Sequence, residues 1–409
     1  MLLRELAETL KITPPPAGDL PAGDPAAFDP ETILRAAVAA GLAPELAEAL
    51  RPAGRRLAAD RDLAAYFAGL APVLFGEELR TGTTGFLPEK VGVLSEPDEY
   101  AFFALLALSA APTRERAFTA AGLPADSARS AVRDVGIWIA HFLRNRGFAG
   151  LSARILGWDY SVLNGTPLTL GRLQFVLKRF TEPLAVFRNT ADGKVLALAA
   201  DGERFNRGGV CANVDGEDDP EAWTAALTET EASVTGSPIS PLGRAERRTV
   251  TLDKAVWRPV FRTGDWTIET HIPEDGPLDQ AACGQAMRRA WDFFSRRHPD
   301  REIKSFSCLS WLLDPQYETI LQPGSRIVAF MRQYYLFPIA ESGADALWRV
   351  FGEDGMKHGL AAAPRNTGMQ RRVADFLERG GKLRSGGGFL LPEELPLYGS
   401  EPYRRALEK

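Results

Sequence analysis

From Pro30 onward the chain repeats apolar positions at helical spacing. Asp29, Pro30 and Glu31 read as an N-cap, a proline at the first helical position and a carboxylate in the first turn. Leu34, Ala37, Val38 and Leu42 form the stripe, and Gly41 ends it. The same period predicts helices over 43–59, 60–75, 97–110, 113–121 and 126–146, with breaks at Gly54, 76–85, Pro112 and Pro124. Ahead of them, residues 1–12 form a short amphipathic helix and 13–30 a Pro/Gly/Asp-rich loop. No repeat of solenoid length aligns.

Beyond 150–165 the period shortens. Alternation over 168–177 reads as strand. Residues 184–188 and 195–199 flank Asp192-Gly193 and predict a β-hairpin. Residues 204–220 read as a polar loop, 223–231 as a weak helix and 235–243 as a loop. Residues 248–252 and 255–262 look extended, and 266–271 is a strand. Asp279 caps a helix running to residue 297, with arginines in its later turns. A strand over 305–313, a short helix over 316–321 and a strand over 325–337 follow. Helices over 345–351 and 370–379 and a final strand over 383–391 complete the series. The order predicts an α+β fold: an all-helical domain over 1–150, then a mixed-sheet domain flanked by helices over 151–409.

Charge narrows the function. The 48 Lys+Arg against 53 Asp+Glu give a net of −5, without the basic excess of a nucleic-acid protein. Cys211, Cys283 and Cys308 form no CxxC, which argues for a reducing compartment and against a disulfide framework. The histidines have no metal-ligand spacing, so no metal site is expected. Glu5 and Glu8 interrupt any signal-peptide core, and the longest apolar run, 100–111, is too short for a bilayer. A cytoplasmic protein of bacterial type is expected, with neither nucleic acid nor membrane as partner.

The densest chemistry lies at 266–278, where a strand meets a tight Gly/Pro loop and a helix N-terminus. Free N–H groups there suit an anion or phosphate. The plainer alternative is an ordinary strand-to-helix connection, and Glu274, Asp275 and Asp279 make the loop acidic. His271, at the strand end, could accept a proton from an amine near neutral pH, or could be a hydrogen-bonded structural residue. His141 reads as packing, and His298 as a partner of a helix C-terminus. On the strand at 305–313, Cys308 reads as a proton donor or as a small buried hydrophobe. Ser310 lacks a GxSxG elbow, and Asp314 caps the next helix. Tyr334 and Tyr335 fall on opposite strand faces, so one phenol can reach a pocket. The glycine run at 384–389 permits close approach of a ligand or forms a hairpin.

Several segments together resemble a family of bacterial GNAT-like acyltransferases with a helical N-terminal domain. They are WDY at 158–160, GTPLTLGRLQF at 165–175, GDWTIETHIPEDGPL at 264–278, SCLSWLLDP at 307–315 and NTGMQRRVADFLERGG at 366–381. The resemblance implies acetyl-CoA or another acyl-CoA bound where the strands at 266–272 and 305–313 splay apart. The donor would lie against Ile272, Pro273, Gly276, Leu278 and Trp311. It implies direct attack by an amine of a small-molecule or peptide acceptor, with His271 as general base and Cys308, Ser310 or Tyr334 protonating the thiolate. Trp158 and Tyr160 would border the acceptor, and a homodimer is compatible with it. The family's usual Gln/Arg-x-x-Gly-x-Gly/Ala phosphate loop is replaced here by PEDGPL at 273–278. That departure supports an alternative: a degenerate module that keeps the fold and binds a ligand or partner without catalysis.

Overall fold

The computed structural model describes residues 1–13, 20–80, 87–214, 219–352 and 355–404. The loop readings at 14–19, 81–85 and 215–218 lie outside the described residues. The chain forms two compact units. The first comprises Met1–Thr169 with Pro273–Asp275, and the second Leu170–Ile272 with the chain from Gly276 onward.

The first unit is helical: α1 (Leu3–Thr9), α2 (Pro30–Ala39), α3 (Pro44–Ala59), α4 (Arg61–Phe75), α5 (Glu96–Leu108), α6 (Ala111–Ala120), α7 (Ala125–Arg146) and α8 (Ala153–Leu163). Local chemistry sets the ends. Asp29 Oδ1 accepts the Glu31 N–H, Asp60 accepts those of Asp62 and Leu63, and Gly147 stops α7 in the left-handed conformation. Residues 101–108 of α5 are buried on every side, so this helix is the core of the unit. Buried Arg114 donates to the carbonyls of Gly76 and Leu163 (3.2 Å) and to Asn164 Oδ1 (3.4 Å). Those carbonyls end α4 and α8, where a cation is favoured. Burial lowers the Arg114 pKa to about 10.

The second unit is mostly sheet. Its strands are β1 (Leu168–Leu170, where the unit begins), β2 (Leu173–Arg179), β3 (Leu184–Asn189), β4 (Val195–Ala199), β5 (Arg204–Phe205) and β6 (Trp223–Thr224). Then come β7 (Leu227–Glu229), β8 (Ser233–Gly236), β9 (Pro238–Ser240), β10 (Arg244–Ala245), β11 (Val250–Asp253), β12 (Trp257–Arg262) and β13 (Trp266–His271). After α9 (Gln280–Arg297) follow β14 (Ile303–Ser310), α10 (Tyr317–Ile320), α11 (Arg326–Met331), β15 (Tyr335–Ser342), α12 (Ala344–Phe351), α13 (Gly368–Glu378) and β16 (Arg384–Leu390). The main sheet runs β1-β2-β13-β14-β16-β15, with α9 packed on β2 and β13. A second sheet runs β10-β9-β4-β3-β12, a third β11-β8-β7, and β5 pairs with β6.

The α+β class holds, and four local expectations are corrected. Residues 223–231, read as helical, form β6, which pairs with the earlier β5, and β7, which makes a hairpin with β8, and these pairings override local propensity. Residues 235–243 are partly strand, in β8 and β9. The run 325–337, read as one strand, is α11 followed by the start of β15. The glycine run is not a hairpin. It is the centre of β16, between β14 and β15, and is buried from Ser385 to Leu390. A Cβ on Gly386 would come within 2.1 Å of the Leu313 carbonyl oxygen, on Gly387 within 2.1 Å of the Phe337 ring, and on Gly388 within 2.7 Å of Tyr334 Cβ. The glycines therefore admit the neighbours of β16 to the sheet.

Candidate active site

β13 and β14 are the parallel pair of the main sheet, pairing from Trp266–Ile303 to Glu269–Ser307 with a register shift after Trp266. Beyond that point they no longer pair with each other. Each keeps its outer partner: β13 stays with β2 as far as His271 opposite Gln174, and β14 stays with β16 as far as Ser310 opposite Gly386. The strands thus part at Thr270 and Cys308, which opens a gap in the middle of the sheet.

His271 stands at the β13 end of this gap, its side chain about one-third exposed. Its Nε2 lies 3.2 Å from Glu269 Oε1, and Lys178 Nζ from β2 lies 2.9 Å from Glu269 Oε2. Burial works to raise the Glu269 pKa, but the hydrogen bonds from His271 and Lys178 outweigh it and hold the carboxyl below its ordinary value. Glu269 was not singled out from the sequence. The signal was present: residues two apart on a strand share a face, so Glu269 and His271 had to project together.

Below the gap sit side chains from several elements. Cys308, Tyr334 and Met287 are fully buried, and Thr270 and Cys283 nearly so. The Thr270 hydroxyl donates to Met287 Sδ at 3.8 Å. Burial pushes the Cys308 thiol far above its usual range, with the negative charge of Glu269 adding to the effect. Burial likewise raises the Tyr334 phenol, with Cys308 and Tyr398 contributing and Thr270 acting the other way. The hydroxyls of Tyr334 and Tyr398 are enclosed and have no hydrogen-bond partner at ordinary distance. Tyr398 was not foreseen. It lies in the C-terminal segment and reaches α9, where a Cβ on Gly284 would stand 3.0 Å from its ring.

The other expected site residues fall around this group. Ser310 caps the turn that follows β14, accepting the Leu312 N–H at 3.2 Å. Trp311 turns to the separate core of α10, α12 and α13 and meets the Tyr317 ring edge-on. Asp314 accepts the N–H groups of Gln316 (3.0 Å) and Arg384 (2.8 Å), so it caps the turn and also anchors the start of β16. Ile272 is half-buried, Gly276 is exposed with φ +65°, and Leu278 is buried. Pro273 belongs with the first unit. Arg172 donates to the carbonyls of Gly276 and Pro277, both at 2.9 Å, and so brings a cation to the start of α9. Asp279 Oδ1 accepts the Ala282 N–H at 2.9 Å, occupying one of the free donors of that helix end. Of the pair expected to border the acceptor, Trp158 donates to Asp134 (2.9 Å) and Tyr160 is buried, both within the first unit.

Among the described residues no group of three His, Cys, Asp or Glu side chains could hold a metal ion, and no helix is long and apolar enough to cross a membrane.

The family model described as a GNAT-like C-terminal domain matches residues 168–390, more than half of the chain. An acyltransferase mutant solved in complex with octanoyl-CoA superposes at a TM-score of 0.57 with 20% identity, over 96% of this chain and 100% of its own. An acyltransferase in complex with decanoyl-CoA and teicoplanin gives 0.55 at 20% identity, over 95% and 93%. A third, in complex with decanoyl-CoA, gives 0.55 at 18%, over 96% and 100%. At these identities the likeness is one of fold. A search of curated protein sequences gives no match.

Proposed function

Because the chain belongs to the family with the GNAT-like C-terminal domain, we propose that it is an acyl-CoA-dependent N-acyltransferase acting on an amine of a small-molecule acceptor. The observation that carries this reading is the parting of β13 and β14 with the His271–Glu269–Lys178 chain at its edge. Solved proteins of the same fold hold octanoyl-CoA and decanoyl-CoA, and one also holds the glycopeptide teicoplanin. They favour a medium-chain donor and a polar acceptor. The three free cysteines suit a cytoplasmic setting.

The acceptor nitrogen would attack the thioester carbonyl carbon. As the C–N bond forms and the C–S bond breaks, the amine proton passes to the His271 imidazole and the sulfur leaves as the CoA thiolate. Ionised Glu269 orients the ring and stabilises the imidazolium, and Lys178 keeps Glu269 ionised. Tyr334 holds its proton too tightly to give it up to a thiolate. Its enclosed hydroxyl would instead donate a hydrogen bond to the sulfur, and solvent would supply the proton. Buried Cys308 forms the floor of the gap. Arg172 at the start of α9 would offset the acidic loop and meet the CoA phosphates.

Calorimetric titration with octanoyl-CoA and decanoyl-CoA, together with thiol release in the presence of an amine acceptor, tests the proposal. Absence of binding at millimolar donor would reject it. The second reading, a binding module without turnover, draws on Asp279 occupying the α9 N-terminus. Donor binding without amine-dependent thiol release would establish that one instead.

A further inference from the structure

Away from the main sheet, the second unit holds a cleft of about 450 Å³ bounded by β3 and β12 on one side and β7 and β8 on the other. Small-molecule sites run from about 300 to 1,000 Å³. Its floor is the small core between the five-stranded and three-stranded sheets, built on Phe187, Leu198, Val234 and Leu252. Ala185, Leu227 and Trp257 pack on that core but stay partly uncovered. The two sheets therefore leave apolar surface facing the cleft, where a closed sandwich would interdigitate.

The mouth is cationic. Lys254, Arg258 and Arg262 line it, against the single carboxylate of Glu229. Lys254 Nζ already holds Glu229 at 2.6 Å. Arg258 donates to the Lys254 carbonyl, and among the described residues neither Arg258 nor Arg262 has a carboxylate at salt-bridge distance. The charge of Arg262 also acts on Glu229, so the mouth carries three cations against one carboxylate above an apolar floor. Guanidinium matches the planar fork of a carboxylate.

We propose that this cleft binds an amphipathic carboxylate, its apolar body against Phe187, Val234 and Trp257 and its head between Arg258 and Arg262. The site shares no residue with the gap between β13 and β14, and it stands whether or not acyl transfer is the activity.

The test is calorimetric titration of the full chain with dodecanoate below its micelle concentration, with dodecanol as the uncharged control. One saturable site is expected, with dodecanol at least about 10-fold weaker, in keeping with the loss of charge-assisted hydrogen bonds. The double variant Arg258→Glu with Arg262→Glu should weaken dodecanoate by at least about 10-fold. Both positions are exposed, so its melting temperature should be unchanged. Val234→Trp, which fills the cleft, should abolish binding. Should that variant fail to fold, the charge reversals decide. No saturation, equal affinity for dodecanol, or dodecanoate binding untouched by the charge reversals would each overturn the proposal. The last result would place the ligand elsewhere, including the acyl-donor gap.

Discussion

Each unit sets one histidine against a glutamate, and the two pairs differ in what surrounds the carboxylate. In the first unit His141 Nδ1 lies 3.5 Å from Glu274, which also meets Arg144 at 3.2 Å, and the Glu274 side chain is 41% exposed. In the second, His271 lies 3.2 Å from Glu269, which is 13% exposed and held from behind by Lys178. Water reaches Glu274 and screens its charge, although the His141 ring beside it is only 14% exposed. Around Glu269 the screening is weaker, and its charge acts on the ring beside it. The His141 ring is also engaged on its other side, where Nε2 meets the Asn145 amide at 2.8 Å. Proximity of imidazole and carboxylate is therefore not enough to mark a base. On the proposed mechanism, the depth of the carboxylate and the place of the ring beside the open part of a sheet separate the two.

The largest expected effect is at the ring itself. His271→Gln should lower turnover about 10²–10⁴-fold at an unchanged melting temperature, while His141→Gln stays within about 2-fold. Equal losses in the two variants would erase the distinction. Next comes the carboxylate. Loss of a charge-assisted hydrogen bond is worth about 1.5–3 kcal/mol, so Glu269→Gln should cost roughly 10- to 100-fold in kcat, and Glu274→Gln should cost almost nothing. The same pair sharpens through pH. The Glu269 pKa is lower in the folded chain than in the unfolded one, so its stabilisation is full above the unfolded value, about 4.3. It is lost as pH falls through the folded value. Melting curves of the wild type and Glu269→Gln should converge as pH drops below about 4. The smallest effects lie beneath the gap. Tyr334→Phe should cost about 10-fold in turnover, the lower end for a hydrogen bond to a developing thiolate charge. Cys308→Ala should leave turnover within about 2-fold and lower stability by about 1 kcal/mol, because the buried thiol packs and does not ionise.

The helical unit was legible because its signals are local. Asp29 with Pro30, Asp60, and Gly147 after Arg146 mark helix ends within a few residues of the groups they satisfy. In the sheet unit the legible parts were those with equally local signals. β13 has the bounds expected from its alternation, and α9 starts one residue after its expected cap. Residues 223–231, which mix Ala, Leu and Glu with three threonines, misled because β6 is fixed by the earlier β5 and β7 by a hairpin with β8. The apolar run in 325–337 has no decisive period, and a helix and a strand share it. At the site, His271 could be picked out by type and position. Its helpers could not: Lys178 comes from β2 and Tyr398 from the C-terminal segment, and only the folded register brings them to β13 and α9.

The glycines of β16 limit how the site can be altered. A strand that carries no side chains across its middle offers nothing to mutate toward a new shape, since a methyl at Gly386, Gly387 or Gly388 collides with Leu313, Phe337 or Tyr334. Variation is displaced to those neighbours. Redesign of donor preference should therefore begin at Tyr334, where a smaller side chain frees volume beside Cys308, and leave β16 as the fixed wall against which that volume is measured.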